Sequence, residues 1–323
     1  MSQLTESFCD MVGLESKSTS QEYKWRLASL EAFVKQRYGI EVDSFFGSSF
    51  DVYEVLAGYH AHLKEQGLAK STISARIATA KTFFEYNNVP ISNTIFRLKV
   101  RPPKRQKPDK QGLSKHDVRN IILACKDTRL QSYVLLLAAT GMRATEALSI
   151  RYKDIDFENR TVMLRAAFTK TKKQRFVFLT EECIKHLNIW KEHRERVRRI
   201  MHNGKITKVA KPFKAHELFF GTGRSREVTD PNHLYHTLVV DFRAITDHNG
   251  FAERYENLGK RHKISFHSFR SFVKSTISDL GHGDYGEWFI GHDFSTYYSK
   301  TDAARREIFD RLFGTRTKRS NYR

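Results

Sequence analysis

The sequence is short of cysteine, of proline and of acidic side chains, and it has no long apolar run; each shortage excludes a class of protein. Its three cysteines, Cys9, Cys125 and Cys183, are odd in number and far apart, so they build neither a disulfide framework nor a CxxC-type metal site, and are expected to be reduced and structural. No stretch of about 18 apolar residues exists to cross a membrane. The opening residues Met1 to Glu6 are too polar and acidic for a signal peptide, which predicts a cytoplasmic location. The 14 histidines invite a metal reading, yet His60-Ala-His62 and the pair His262 and His267 lack the i, i+4 spacing and carboxylate partner of H-E-x-x-H, so no metal is expected. No G-x-x-x-x-G-K-[ST] loop is present either, and no cofactor is expected.

The shortage of acid is the most telling. Against 36 Asp and Glu stand 56 Lys and Arg, a formal charge of +20. Neutralising phosphates and releasing their counterions is the direct use of such an excess, which predicts a nucleic-acid partner. The plainer reading is a solvated basic surface or another polyanion.

A chain of 323 residues is expected to form about two domains, and at 40% hydrophobic it can bury real cores. Three of the six prolines fall in the segment Arg101 to Gly112, together with five basic residues. That composition excludes a helix and predicts an extended connector over 101–112, separating domains at 1–100 and 113–323. Upstream, Tyr23, Leu27, Leu30 and Val34, then Val52, Leu56, Tyr59 and Leu63, then Ile73, Ile77, Ala80 and Phe84 recur at helical spacing, predicting three or four amphipathic helices. Ser20 and Ser71 are the expected N-caps of the first and third, and Gly39 and Gly67 the stops of the first and second.

Downstream, Ser114-Lys-His-Asp117 predicts a capping box, and Leu135 to Ala139 a buried helix that Thr140-Gly141 breaks, so that Arg143 opens the next one. Asn159 to Phe168 and Gln174 to Leu179 predict a hairpin tipped by Lys170, Lys172 and Lys173. The basic stretch from Lys191 to Lys214 reads as a helix end followed by a loop. Phe266 to Leu280 predicts a helix closed by Gly281, with His267 and Arg270 one turn apart on one face. The fold class is therefore mainly α with a small β-sheet.

Scattered over the C-terminal two-thirds are Arg143, Lys170, His267, Arg270, His292 and the adjacent tyrosines Tyr297 and Tyr298. Arginine presents a planar, permanently charged fork, so two of them can clamp one phosphodiester as it gains charge. A tyrosine can then attack the phosphorus, provided that its proton, held with a pKa near 10, is taken or its anion stabilised. On a helix Tyr297 and Tyr298 would point about 100° apart, so only one can face the phosphate.

Thr140-Gly-Met-Arg-Ala-Thr-Glu-Ala-Leu148, the lysine-tipped hairpin, His267-Ser-Phe-Arg270, Gly291-His292 and a tyrosine, in that order, resemble the tyrosine recombinases of the phage-integrase family, and the closing segment is most similar to archaeal integrases of viruses or plasmids. The resemblance covers essentially the whole chain. It implies an N-terminal helical core-binding domain and a C-terminal α+β catalytic domain forming a C-shaped clamp on double-stranded DNA. It implies that Arg143 and Arg270 hold the scissile phosphate, that Glu146 orients Arg143, and that Lys170 is the general acid, with Lys172 or Lys173 as substitutes. It also implies that His267 and His292 bond the phosphate or accept the tyrosine proton, and that Tyr297, or alternatively Tyr298, is the nucleophile.

The implied activity is site-specific recombination, integration or excision, through a 3′-phosphotyrosyl intermediate. A homotetramer on DNA, and a monomer or dimer free of it, would carry it out. Resolution of chromosome or plasmid dimers, a type IB topoisomerase and a DNA-binding protein without catalysis are the alternatives. Asp302 to Phe313 is expected to be a helix that docks on a neighbouring subunit or packs on its own domain.

Overall fold

The structure, a computed structural model, describes residues 1–47, 49–103, 112–169, 171–196, 198–202, 205–209, 212–221, 230–255, 261–292 and 299–313. The chain divides into two compact units, Met1–Asp109 with Tyr255–Arg261, and Lys110–Arg254 with His262–Arg323. Among the described residues no helix is long and apolar enough to cross a membrane.

The first unit is helical: α1 (Gln3–Glu15), α2 (Lys17–Tyr38), α3 (Val52–Glu65), α4 (Lys70–Tyr86) and the short α5 (Asn93–Lys99). The three expected apolar series lie on α2, α3 and α4, and Leu27, Leu30, Tyr59, Leu63, Ile77 and Phe84 are buried in one core. Gly39 closes α2 in the left-handed conformation that glycine adopts without a Cβ penalty. The expected N-caps are displaced. Ser16 caps α2 by accepting the Thr19 N–H, whereas Ser20 is buried inside the helix and donates its hydroxyl to the Cys9 carbonyl at 2.7 Å, tying α2 to α1. Ala69, not Ser71, precedes α4, without a side-chain cap. Both displacements have one cause: an apolar series marks the buried stripe of a helix, and polar first turns extend beyond it.

The second unit surrounds α7 (Thr128–Thr140), whose Leu130, Tyr133, Val134, Leu136 and Leu137 are buried. Before it lies α6 (Lys115–Ala124), which opens on the expected capping box: Ser114 Oγ accepts the Asp117 N–H, and Asp117 Oδ2 accepts the Ser114 N–H. After it come α8 (Ala144–Leu148), strands β1 (Ile155–Asp156), β2 (Thr161–Leu164) and β3 (Arg175–Phe178), and α9 (Glu181–Glu195). The three strands form an antiparallel sheet in chain order. Its register pairs Val162 with Val177 and Leu164 with Arg175. The first hairpin strand is shorter than expected, because Ala166–Phe168 winds into a 3-10 turn.

The basic stretch begins with the expected helix end, α9 stopping at Glu195, but the part after it, expected to be a loop, forms β4 (Arg198–His202) and β5 (Lys205–Val209), paired antiparallel. Its β-branched residues, Ile200, Ile206, Thr207 and Val209, are spaced among cations, which hides strand alternation under a polar composition. The unit is completed by α10 (Pro231–His248), α11 (Phe266–Asp279), α12 (Gly283–Ile290) and α13 (Asp302–Phe313). Phe266, Phe269, Val273 and Ile277 of α11 pack in the same core as α7. Each such fully buried apolar side chain contributes roughly 1.5–3 kcal/mol relative to exposure. Ile308 and Phe309 place α13 on its own unit, the Phe309 ring lying 5.5 Å from Phe178 and 5.6 Å from Phe289.

Candidate active site

Four helix ends and one strand converge on a cluster of charge. Gly141 ends α7 with φ +62, a conformation that leaves no room for a side chain: a Cβ there would lie 2.9 Å from Ile290 Cγ2 and 3.1 Å from Val273 Cβ. The turn it makes places Arg143 at the N-cap of α8. Glu146, three residues on and 1% exposed, accepts the Arg143 backbone N–H at Oε2 (3.2 Å) and Arg143 Nη1 at Oε1 (2.7 Å). A carboxylate in the first turn of a helix is also favoured by the unpaired N–H groups there.

The same carboxylate has a second guanidinium. Arg175, on the buried face of β3 with Val177, donates from Nη2 to Glu146 Oε2 at 2.9 Å and from Nη1 to the Phe289 carbonyl at 2.8 Å. Burial pushes its pKa down and Glu146 opposes that. Arg270, on α11 and 3% exposed, bonds two neutral carbonyls through Nη1, Gly141 at 2.9 Å and Ile290 at 2.6 Å. Its Nη2 is buried, with no hydrogen-bond partner among the described residues. Burial first, then the neighbouring charge of Arg143, brings the Arg270 pKa down to about 10, so it remains a cation at neutral pH.

The end of α12 is fully capped as a result. A helix leaves its last four carbonyls unpaired. Here Glu287 O accepts the His292 N–H and Trp288 O the Gly291 N–H, while Phe289 O and Ile290 O accept from Arg175 and Arg270. Gly291 has φ +73, and a Cβ on it would lie 2.5 Å from Arg175 Nε. His292 follows, with Nδ1 2.6 Å from Glu287 Oε2. Lys274 of α11 pairs with the other Glu287 oxygen. Burial raises the Glu287 pKa, but the hydrogen bonds and charges of Lys274 and His292 outweigh it and hold the carboxyl below its usual 4.5. An ionised carboxylate only accepts, so Nδ1 carries the hydrogen and Nε2 is left as the second ring nitrogen.

The structure thus brings together Arg143, Glu146, Arg270 and His292. His267 is exposed on the first turn of α11, one turn before Arg270. Lys170, Tyr297 and Tyr298 lie outside the described residues. Around Lys170 in sequence, Thr169 is buried and its hydroxyl donates to the Lys173 carbonyl at 2.9 Å, while Lys172 adopts φ +51 and is exposed. Sequence reasoning missed Arg175, Lys274 and Glu287. The signal for Arg175 was present: strand alternation puts it on the face of Val177, and a cation on a buried face requires an acceptor. Among the described residues no group of three or more His, Cys, Asp or Glu is placed to hold a metal ion.

Residues 111–279 match the Phage integrase family, and the chain belongs to that family. Over 119 residues it is 35% identical to the tyrosine recombinase XerA of the archaeon Saccharolobus solfataricus, covering 36% of this chain and 38% of that protein. Over 202 residues it is 25% identical to the tyrosine recombinase XerC of Staphylococcus aureus, covering 60% of this chain and 64% of that one. The matched stretches thus span less than two thirds of either relative. In fold, the chain is similar to a lambda integrase dimer bound to a COC' core site, with a TM-score of 0.61 at 14% identity over 92% of this chain and 97% of that one. It is also similar to the Tn1549 transposon integrase in complex with transposon right end DNA, with a TM-score of 0.53 at 14% identity over 90% and 99% of the two chains.

Proposed function

We propose that this protein is a site-specific DNA recombinase that cuts and rejoins DNA through a 3′-phosphotyrosyl intermediate, used for integration and excision of a DNA element. The observation that carries the reading is the charge balance around Glu146. Three guanidiniums, of Arg143, Arg175 and Arg270, surround one buried carboxylate, and Arg270 spends its hydrogen bonds on neutral carbonyls, its Nη2 having no partner among the described residues. Such a site favours a dianionic, trigonal-bipyramidal phosphate over the monoanionic diester that becomes it, which is the condition for lowering the barrier.

In this reading Arg143 and Arg270 hold the two non-bridging oxygens. The Tyr297 hydroxyl, or that of Tyr298, attacks phosphorus, forming the O–P bond as the bond to the 5′ oxygen breaks. The phenolic proton passes to His292 Nε2 or His267, and Lys170, with Lys172 and Lys173 as substitutes, protonates the departing 5′ oxygen. The energy of the broken diester is retained in the phosphotyrosyl bond, so a 5′-hydroxyl from a partner strand reverses the step. Joining two duplexes takes four such sites, which supports a homotetramer assembled on double-stranded DNA from free monomers or dimers. The chain's charge of +20 supports the duplex as partner.

The test is a duplex nicked just 3′ of a candidate cleavage position, incubated with the protein in EDTA, run on a denaturing gel and peptide-mapped. The expected result is an adduct on Tyr297, lost in Tyr297→Phe and kept in Tyr298→Phe. Adduct formation by the double Phe variant would overturn the tyrosine assignment. Salt-sensitive binding without any adduct on duplexes tiling the element's ends would favour a DNA-binding protein instead.

A further inference from the structure

We propose that Arg175 is a positioning residue that couples Arg143 to His292, by holding Glu146 and the end of α12 in one guanidinium. This rests on the strand-transfer reading above and deepens it.

The geometry starts from what each partner needs. Glu146 is buried, and a buried carboxylate needs its lone pairs filled. Arg143 supplies two hydrogen bonds to them, and Arg175 a third, at 2.9 Å, from a strand 29 residues downstream. The Phe289 carbonyl belongs to the last turn of α12, where the helix supplies no further N–H, and the second arm of Arg175 takes it at 2.8 Å across 114 residues. Only a rigid fork with separated N–H groups can serve two acceptors in this way; lysine offers one point charge on a flexible stem.

What stands at each end gives this bridge its consequence. Glu146 fixes both the backbone and the guanidinium of Arg143, so a shift of Glu146 is a shift of Arg143. Phe289 lies three residues before His292, and the intervening Gly291 lies against Arg175 so closely that a Cβ would stand 2.7 Å from Cζ. Arg270 takes the next carbonyl, Ile290, at 2.6 Å. The turn that launches His292 is therefore gripped by two guanidiniums, one of which, Arg175, also grips the carboxylate that sets Arg143. Arg175 opens β3, the second strand of the lysine-tipped hairpin, so the bridge also ties that hairpin to Glu146 and the end of α12. A misplacement of about 1 Å at a reacting group costs on the order of 100-fold in rate, which is the scale on which such a bridge acts.

The experiment uses the full chain and the nicked duplex, comparing wild type with Arg175→Lys and Arg175→Ala. Duplex affinity, thermal unfolding and the single-turnover rate of adduct formation are measured for each. The expected result for Arg175→Lys is a rate lowered roughly 10- to 100-fold with duplex affinity within about 2-fold. Millimolar guanidinium ion should restore part of the rate to Arg175→Ala and do nothing for wild type. A rate unchanged in Arg175→Lys, or a rate loss that guanidinium does not relieve and that follows the loss of thermal stability, overturns the proposal. If wild type itself forms no adduct, the strand-transfer reading fails. The coupling is then read from the ring nitrogen resonances of His292 in ¹⁵N-histidine-labelled protein: displacement by Arg175→Ala supports it, and an unchanged spectrum overturns it.

Discussion

Arg270 and Gly141 stand 129 residues apart in the chain, and Arg270 Nη1 donates to the Gly141 carbonyl at 2.9 Å. That bond closes the loop between the helix that carries one arginine of the site and the turn that launches the other. It also makes both residues sensitive to small changes.

Gly141→Ala should be strongly destabilising. Its φ of +62 and the 2.9 Å approach of Ile290 to a built Cβ combine left-handed strain with overpacking, together about 2–5 kcal/mol. Thermal unfolding should show a Tm lowered by roughly 5–15 °C. A variant as stable as wild type would mean that the turn relaxes freely.

Arg270→Lys keeps the charge and loses the fork. The Gly141 and Ile290 carbonyls are left short of a donor, at about 1–3 kcal/mol, and one phosphate oxygen loses its partner. Adduct formation is expected to slow roughly 100- to 1,000-fold, while duplex binding, spread over many phosphates, changes only a few-fold. Filter binding and single-turnover cleavage on the same preparation separate the two.

Glu287→Gln tests the orientation of His292. The Glu287 pKa is lowered in the fold, so its carboxylate contributes stability above its unfolded value near 4.5 and loses that contribution as pH falls through the folded value. Urea unfolding should therefore show the variant less stable than wild type at pH 7, with the gap narrowing below pH 4.5. Adduct formation should slow about 100-fold at pH 7, because the carboxamide no longer fixes hydrogen on Nδ1.

Duplex affinity should fall steeply with salt. For contacts to about 6–10 phosphates, a loss of roughly 10³–10⁵ is expected between 50 and 200 mM salt, measured as the slope of log affinity against log salt. A shallow slope would mean that the excess of 56 Lys and Arg over 36 Asp and Glu is ordinary surface.

Several elements are legible in the residues alone because their signals are local. The capping box at Ser114, the run of α11 from Phe266, and the break at Gly141 each depend on residues within one or two turns. The β4 and β5 hairpin also had a local signal, Asn203-Gly204 between residues of β propensity, which its basic composition obscured. Ser20 carried no such signal: its partner, the Cys9 carbonyl, lies 11 residues back on another helix, and only packing decides between a cap and a buried bridge.

The same division runs through the site. By itself the sequence determined which residue types are present and in what order, and the pairing of Arg143 with Glu146, a contact three residues long on one helix turn; His292 with Glu287 spans only five residues but was missed. The tertiary structure decided what sequence spacing cannot: that Arg175 completes Glu146 across 29 residues, and that Arg175 and Arg270 cap the end of α12 from β3 and α11. Local periodicity fixes the face on which a side chain leaves its helix or strand. Which acceptor it then meets is set by the burial of apolar faces that brings those elements together, a carboxylate and a carbonyl for Arg175 and two carbonyls for Arg270.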